Sequence, residues 1–223
     1  ANRTLEHEMT VRERAEQALI VADRRKDEFL ATLAHELRNP LAPIRSGVQL
    51  LRRGGADQAA SSRVHAIMDR QLDQLVHLVD DLLDVARISE GKIVLRREEV
   101  NLGAVIAQAI ETAGPLIAAR EHHLEISQPE RQVWVAGDPV RLAQSIGNLL
   151  HNAAKFTPKG GRIRLVVTLD GETVRIAVID NGIGIAEDNL PRIFGMFAQV
   201  DVPPDRAPEG LGIGLSLVSH LIE

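Results

Sequence analysis

From Phe29 to Leu51 apolar side chains recur at steps of four and three: Phe29, Leu33, Leu37, Leu41, Ile44, Val48 and Leu51. That spacing predicts one buried stripe on a long helix. Pro40 and Pro43 fall inside it and should bend or loosen the helix locally. Arg53-Gly54-Gly55 should end it. A second helix is expected from about Ala59 to Ile88, with Val64, Ile67, Met68, Leu72, Leu75, Val79, Leu82 and Val85 on its apolar face. Two long helices joined by a short glycine-containing loop form a hairpin. One hairpin buries little, so two should pack as a four-helix bundle in a homodimer. Upstream, Val11, Ala15, Ala18 and Ala22 keep a four-three spacing on a charged segment. This reads either as a coiled-coil seam or as a solvated helix.

Past Ser89-Glu90-Gly91-Lys92, which reads as a linker, the pattern changes. Helical stretches near Leu102–Arg120 and Pro139–Phe156 alternate with β-rich runs at Leu124–Ser127, Val133–Ala136, Arg162–Leu169 and Thr173–Ile179. Asp170-Gly171 is a hairpin signal between the last two runs. Helices mixed with strands imply an α/β sandwich, one sheet covered by helices. Residues 201–208, DVPPDRAP, are expected to be a mobile loop.

Composition narrows the classes. Aromatic residues make up only 2% of the 223, so the cores must be aliphatic. A net charge of −5 argues against nucleic acid as partner. With no cysteine, disulfides, thiolate catalysis and Cys-based metal sites are excluded. No apolar run approaches the ~20 residues that span a bilayer, so no membrane contact is expected within this stretch. A cytoplasmic location fits, whether the whole protein is soluble or membrane-anchored. The sequence opens on Ala1 rather than Met and closes at Glu223 inside an apolar-periodic stretch, so it reads as an internal fragment.

Three features carry candidate chemistry. The first is HELRNP. His35 lies two residues from both Leu33 and Leu37, opposite the stripe, so it should face solvent. Glu36 is beside it, and Asn39 follows one turn later on the same face. An imidazole acts as a nucleophile when a neighbouring base takes its proton, and Glu36 is placed for that. The other seven histidines, His122 and His123 among them, carry no comparable constellation.

The second is the helix opened by Asp138-Pro139, an N-cap with proline at the first helical position. Asn148, Asn152 and Lys155 fall on one face, either an ordinary solvent face or a lined site suited to Mg²⁺ and phosphates. The third is a pair of glycine loops. In VIDNGIGI, Asp180 ends a strand, and Gly182 and Gly184 let backbone approach a flat ring. In EGLGIGLSLV, Gly210, Gly212 and Gly214 lead into an apolar helix whose N–H groups can meet phosphate. Neither loop matches the P-loop or the dinucleotide-binding fingerprint.

Together these motifs resemble those of sensor histidine kinases. HELRNP resembles their H box, NLLHNAAKFTP their N box, DNGIGI the G1 box, IFGMF the F box and GLGIGL the G2 box, in family order over residues 20–223. The resemblance implies three regions: a signalling helix or coiled coil (1–25), a dimerisation and histidine phosphotransfer domain (26–90) and a catalytic ATP-binding domain (91–223). The last resembles the fold shared by gyrase, heat-shock-90 and mismatch-repair ATPases. The family's domain continues with further strand beyond its last helix, so this one is expected to be C-terminally incomplete.

By the same resemblance His35 is the phosphoacceptor, Glu36 the general base, and Asn39 the residue that positions water when the partner is dephosphorylated. Asn152 would coordinate Mg²⁺ with Asn148 supporting it, and Lys155 would hold phosphate oxygens. Asp180 would read the adenine amine, with Phe156 and Ile185 near the ring. Residues 186–212 would form a lid anchored by Phe194 and Phe197, bent by the glycines Gly210, Gly212 and Gly214. The hydrolysing relatives carry glutamate where Asn148 stands. Asparagine cannot act as a base, so transfer is favoured over hydrolysis. The implied reaction is ATP-dependent phosphorylation of His35, then transfer to an aspartate of a response regulator. Two other readings are a scaffold with a vestigial ATP site and a free-standing ATPase. The intact Asn152, Lys155, Asp180 and glycine set argues against the first, and Asn148 with the separate histidine hairpin against the second.

Overall fold

A computed structural model describes residues 2–52, 58–89, 95–195 and 211–222. The loop expected at 53–55, most of the linker and the proline-rich segment lie outside them. The chain forms two compact units that part between Leu82 and Leu83.

The first unit is helical. α1 spans Asn2–Arg52 and α2 spans Gln58–Ser89, of which residues 83–89 belong to the second unit. α1 runs through Pro40 and Pro43 without a break, so the expected loosening does not end the helix. A proline within a helix lacks the N–H that would bond the carbonyl four residues back. The carbonyls of Glu36 and Asn39 therefore lose their helical donors while the helix persists.

The buried stripe of α1 differs from the expected one. Leu41 and Val48 are exposed, whereas Glu36, Pro40 and Gly47 are buried. These three share a face at steps of four and seven. Gly47 marks where α2 comes close: a Cβ there would lie 2.7 Å from Met68 Sδ and 3.0 Å from Val64 Cγ1. On α2 the covered row is Val64, Met68, Gln71, Leu75, Leu78 and Leu82, while Ile67, Leu72, Val76 and Val79 are exposed. Each helix thus carries apolar side chains on two sides, and among the described residues only one side is covered. Ala15, from the four-three series upstream, is exposed. The side chains of Val11, Ala18 and Ala22 lie outside the described set.

The second unit layers helices on strands. Its elements are β1 (Glu98–Asn101), α3 (Leu102–Ala119), β2 (His123–Ser127), β3 (Trp134–Gly137), α4 (Pro139–Phe156), β4 (Arg162–Asp170), β5 (Thr173–Asp180), a 3₁₀ turn (Glu187–Asn189) and α5 (Gly214–Ile222). Among the described residues the strands form two ladders rather than one sheet. β1 and β3 pair antiparallel, and a second sheet runs β2-β4-β5, parallel then antiparallel. Inward residues Ile163, Leu165 and Val167 of β4 alternate with outward Arg162, Arg164 and the half-buried Val166. They meet Val105, Ile106 and Ala109 of α3 and Ile146, Leu150 and Ala153 of α4 in one aliphatic core. By length and composition α3 could cross a membrane. Here its apolar face, from Leu102 to Ile117, lines that core.

Candidate nucleotide site

α4 is the axis of the site, and its start is strongly determined. Asp138 Oδ1 accepts from Val140 N at 3.1 Å and Arg141 N at 3.2 Å, and Oδ2 accepts from Arg96 N at 3.0 Å. Burial alone would raise this carboxyl's pKa. The backbone donors of Arg96, Arg141 and Val140, with the Arg141 charge, outweigh burial and hold it below the usual aspartate range. Three residues on, Arg141 and Gln144 both reach Asp84 in the last turns of α2.

The polar row of α4 is half-buried at Asn148, Asn152 and Lys155, so it is not a plain solvent face. Asn148 lies under the first residue of α5: a Cβ on Gly214 would sit 3.7 Å from Asn148 Cγ. This brings the helix after GLGIGL against the row. Asn148 Nδ2 is buried and has no hydrogen-bond partner. Lys155 Nζ stands 4.7 Å from the centroid of the Phe156 ring, within cation–π range.

At its C-terminal end α4 meets the strand that carries the key carboxylate. Thr157 Oγ1 donates to Asp180 Oδ1 at 3.4 Å, and Gly182 N donates to the same oxygen at 2.8 Å. Both bonds fall on one oxygen, so the carboxylate is oriented while Oδ2 takes no part in them. Ile183 N reaches Phe156 O at 3.3 Å. A Cβ on Gly182 would come within 2.6 Å of both Asp180 Oδ1 and Phe156 O, so only glycine fits. Gly184 and Gly212 adopt φ of +69° and +67°, a left-handed conformation that glycine takes without strain.

Two supporting residues were not singled out from sequence. Thr157 is 1% exposed, and its hydroxyl fixes Asp180. Asn181 Oδ1 accepts from Arg162 N at 2.7 Å and ties the loop back to β4. Both lie inside the quoted motifs, NAAKFTP and DNGIGI, but their partners are distant in sequence. Ile185 and Phe194 are about half exposed. Phe197 and Gly210 lie outside the described residues.

In the first unit, His35 and Asn39 are exposed, as the wheel predicts. Glu36, one step aside from the imidazole, is 8% exposed, on the Gly47 side of the hairpin. Its neighbours Leu33 and Leu37 are half-buried on the same flank, so the covered arc is wider than the apolar stripe alone.

The second unit fits a nucleotide on its own geometry: an oriented carboxylate, a cradle that a single Cβ would fill, and a buried amide donor without a partner. Comparisons with known proteins agree. Residues 25–91 match the His Kinase A (phospho-acceptor) domain, and residues 137–223 match the histidine kinase-, DNA gyrase B- and HSP90-like ATPase domain. The chain belongs to the sensor histidine kinases. Sensor protein GacS of Pseudomonas syringae pv. syringae is 32% identical over 215 residues, covering 94% of this chain and 24% of GacS. The adaptive-response sensory kinase SasA of Synechococcus sp. (strain JA-3-3Ab) is 34% identical over 201 residues, 88% of this chain and 53% of SasA. Full-length ShkA, solved in complex with AMPPNP, superposes with a TM-score of 0.57 at 34% identity over 87% of this chain and 40% of ShkA. The chain thus spans from about a quarter to about a half of the length of these relatives.

Proposed function

We propose that this chain is the ATP-dependent kinase core of a two-component system, moving the γ-phosphoryl group of ATP to His35 and then to an aspartate of a response regulator. The observation that carries the reading is the Asp180–Gly182–Phe156 arrangement, a fixed carboxylate over a glycine-only cradle at the end of the polar α4 row. Asp180 accepts from the adenine amine, and Lys155 neutralises phosphate oxygens. Asn152, with Asn148 behind it, would hold Mg²⁺, which would spread the charge that develops on the transferred group. Gly212 and Gly214 present backbone to the phosphates, and Phe156, Ile185 and Phe194 border the ring. Phosphoryl transfer of this kind is mostly positioning and electrostatics.

At the acceptor, a ring nitrogen of His35 attacks the γ-phosphorus as the bond to the ADP oxygen breaks, and Glu36 takes the imidazole proton. Asn39, exposed one turn on, positions water for regulator dephosphorylation. The uncovered apolar sides of α1 and α2 support a homodimer. The proposed regions are 1–25 for signalling, 26–90 for dimerisation and phosphotransfer, and 91–223 for ATP, on the cytoplasmic side of any membrane. Labelling with γ-labelled ATP tests the reading. His35→Gln should lose acid-labile phosphoprotein and keep nucleotide binding; persistent labelling would exclude His35 as acceptor.

A further inference from the structure

α3 ends in a turn that aims two side chains at α4. Arg120, Glu121 and His122 donate their backbone N–H groups to Leu116, Ala118 and Ile117, the pattern of a Schellman cap. Glu121 takes the left-handed position at φ +56°, where glycine usually sits. Backbone of this hand costs a side-chain-bearing residue about 1 kcal/mol. The turn delivers Arg120 Nη1 to the carbonyl oxygen of Lys155 at 2.9 Å, and His122 Nε2 to that of Ala154 at 2.9 Å. A carbonyl only accepts, so Nε2 carries the proton. Thr157 N takes the carbonyl of Ala153 at 3.0 Å.

Three successive carbonyls at the end of α4 are therefore satisfied, two of them by side chains from another element. A helix end leaves such carbonyls open, and water or a local turn would usually serve them. Here a histidine is 9% exposed to do it, and its Nδ1 is buried without a partner. The same corner also grips the loop beyond α4. Gly160 N donates to Arg120 O at 3.0 Å, and His123 N donates to Gly161 O at 2.8 Å. Thr157 sits between the two grips.

The residues held this way carry the site. Lys155 follows the carbonyl taken by His122, Phe156 O seats the Gly182 turn, and Thr157 orients Asp180. We infer that Arg120 and His122 are positioning residues for nucleotide binding: they lock the last turn of α4 so that Lys155, Phe156 and Thr157 present a preformed nucleotide pocket. This rests on the reading of Asp180 and the α4 row as the nucleotide site.

The test measures Mg-ATP affinity and melting temperature side by side on the 223-residue chain, well below the melting transition. His122→Gln places an amide donor near the Nε2 position and should keep affinity. His122→Leu keeps the bulk, removes the donor and should weaken binding about tenfold, the scale of one buried carbonyl left without its donor. Arg120→Met should weaken it similarly, and it carries the test if His122→Leu does not fold. A lower melting temperature with affinity within about twofold of wild type, for a folded His122→Leu and for Arg120→Met, would mean a purely structural cap and overturn the proposal. So would a His122→Gln variant as weak as His122→Leu. Asp180→Asn separates the two levels. If it binds ATP normally, the site reading itself fails; if it alone loses affinity, only the positioning role fails.

Discussion

The carboxylate of Asp84, in the last turns of α2, is closed by the guanidinium of Arg141 on α4. Gln144 Nε2 adds a second donor at 2.8 Å, and its Oε1 accepts from the same arginine at 2.8 Å. Asp84 is 5% exposed, so the pair is dry on the acidic side. This triad makes residues 83–89 part of the second unit. Removing one member of a buried pair leaves the other charged and unmatched, at about 3–5 kcal/mol. Arg141→Ala should approach the lower end of that range because Gln144 still donates and Arg87 Nη1 stands 3.9 Å from Asp84 Oδ1. Asp84→Asn leaves Arg141, whose side chain is 20% exposed and reaches water, so it should cost clearly less. Urea unfolding of both variants checks the order.

Asp138 links stability of the same unit to pH. Its folded pKa is depressed, so its contribution is fully present above the unfolded value, about 3.9, and is lost as pH falls through the lower folded value. Asp138→Asn keeps a capping oxygen and cannot titrate. Acid unfolding below about pH 4 should therefore be less steep in Asp138→Asn than in wild type. Asp138→Ala should cost about 1 kcal/mol at neutral pH through the lost cap. Parallel acid titrations followed by circular dichroism would show an unchanged slope if the cap were irrelevant.

Gly182 is the most sensitive glycine of the site. An added Cβ meets the backbone carbonyl of Phe156 and the oxygen of Asp180 that Gly182 N already bonds, and the backbone cannot yield cheaply. Gly182→Ala should weaken ATP binding by about tenfold or more, about 1.4 kcal/mol, while the hairpin unit keeps its helicity. Calorimetric titration with ATP measures it, and an unchanged affinity would mean that the DNGIGI loop does not bind the ring.

Gly47 offers a graded contrast. The atoms in the way of a new Cβ are the thioether of Met68, which is flexible, and a methyl of Val64. The helix propensity gained by alanine, about 1 kcal/mol, offsets the shift of Met68, so Gly47→Ala should be near neutral. Gly47→Leu overfills the gap and should cost about 1–3 kcal/mol. Thermal melts of the two variants should differ by several degrees.

Elements with chemical punctuation were legible in the sequence. Asp138-Pro139 set the start of α4, and Asp170-Gly171 marked the turn between β4 and β5. β1 was missed because Glu98-Glu99-Val100-Asn101 places only Val100 in the core, and a four-residue strand with one inward side chain has no visible period. The α1 stripe was read from apolar residues alone. The covered face includes Glu36, Pro40 and Gly47, because close helix approach selects small or compact side chains as well as greasy ones. His122 was dismissed for want of neighbours in sequence. Its partner, the carbonyl of Ala154, is 32 residues away and belongs to the backbone, which leaves no trace in residue identity.

The unbroken run of α1 upstream of its prolines has a mechanical consequence. From Asn2 to His35 the rise of about 1.5 Å per residue makes a rod of about 50 Å, along which each residue adds about 100° of azimuth. The direction in which the imidazole points is therefore fixed by angular bookkeeping from any upstream residue. One residue inserted between Arg24 and Phe29 would turn His35 by about 100° relative to the start of the helix, whereas seven would return it to within about 20°. Twist applied at one end arrives at His35 as twist.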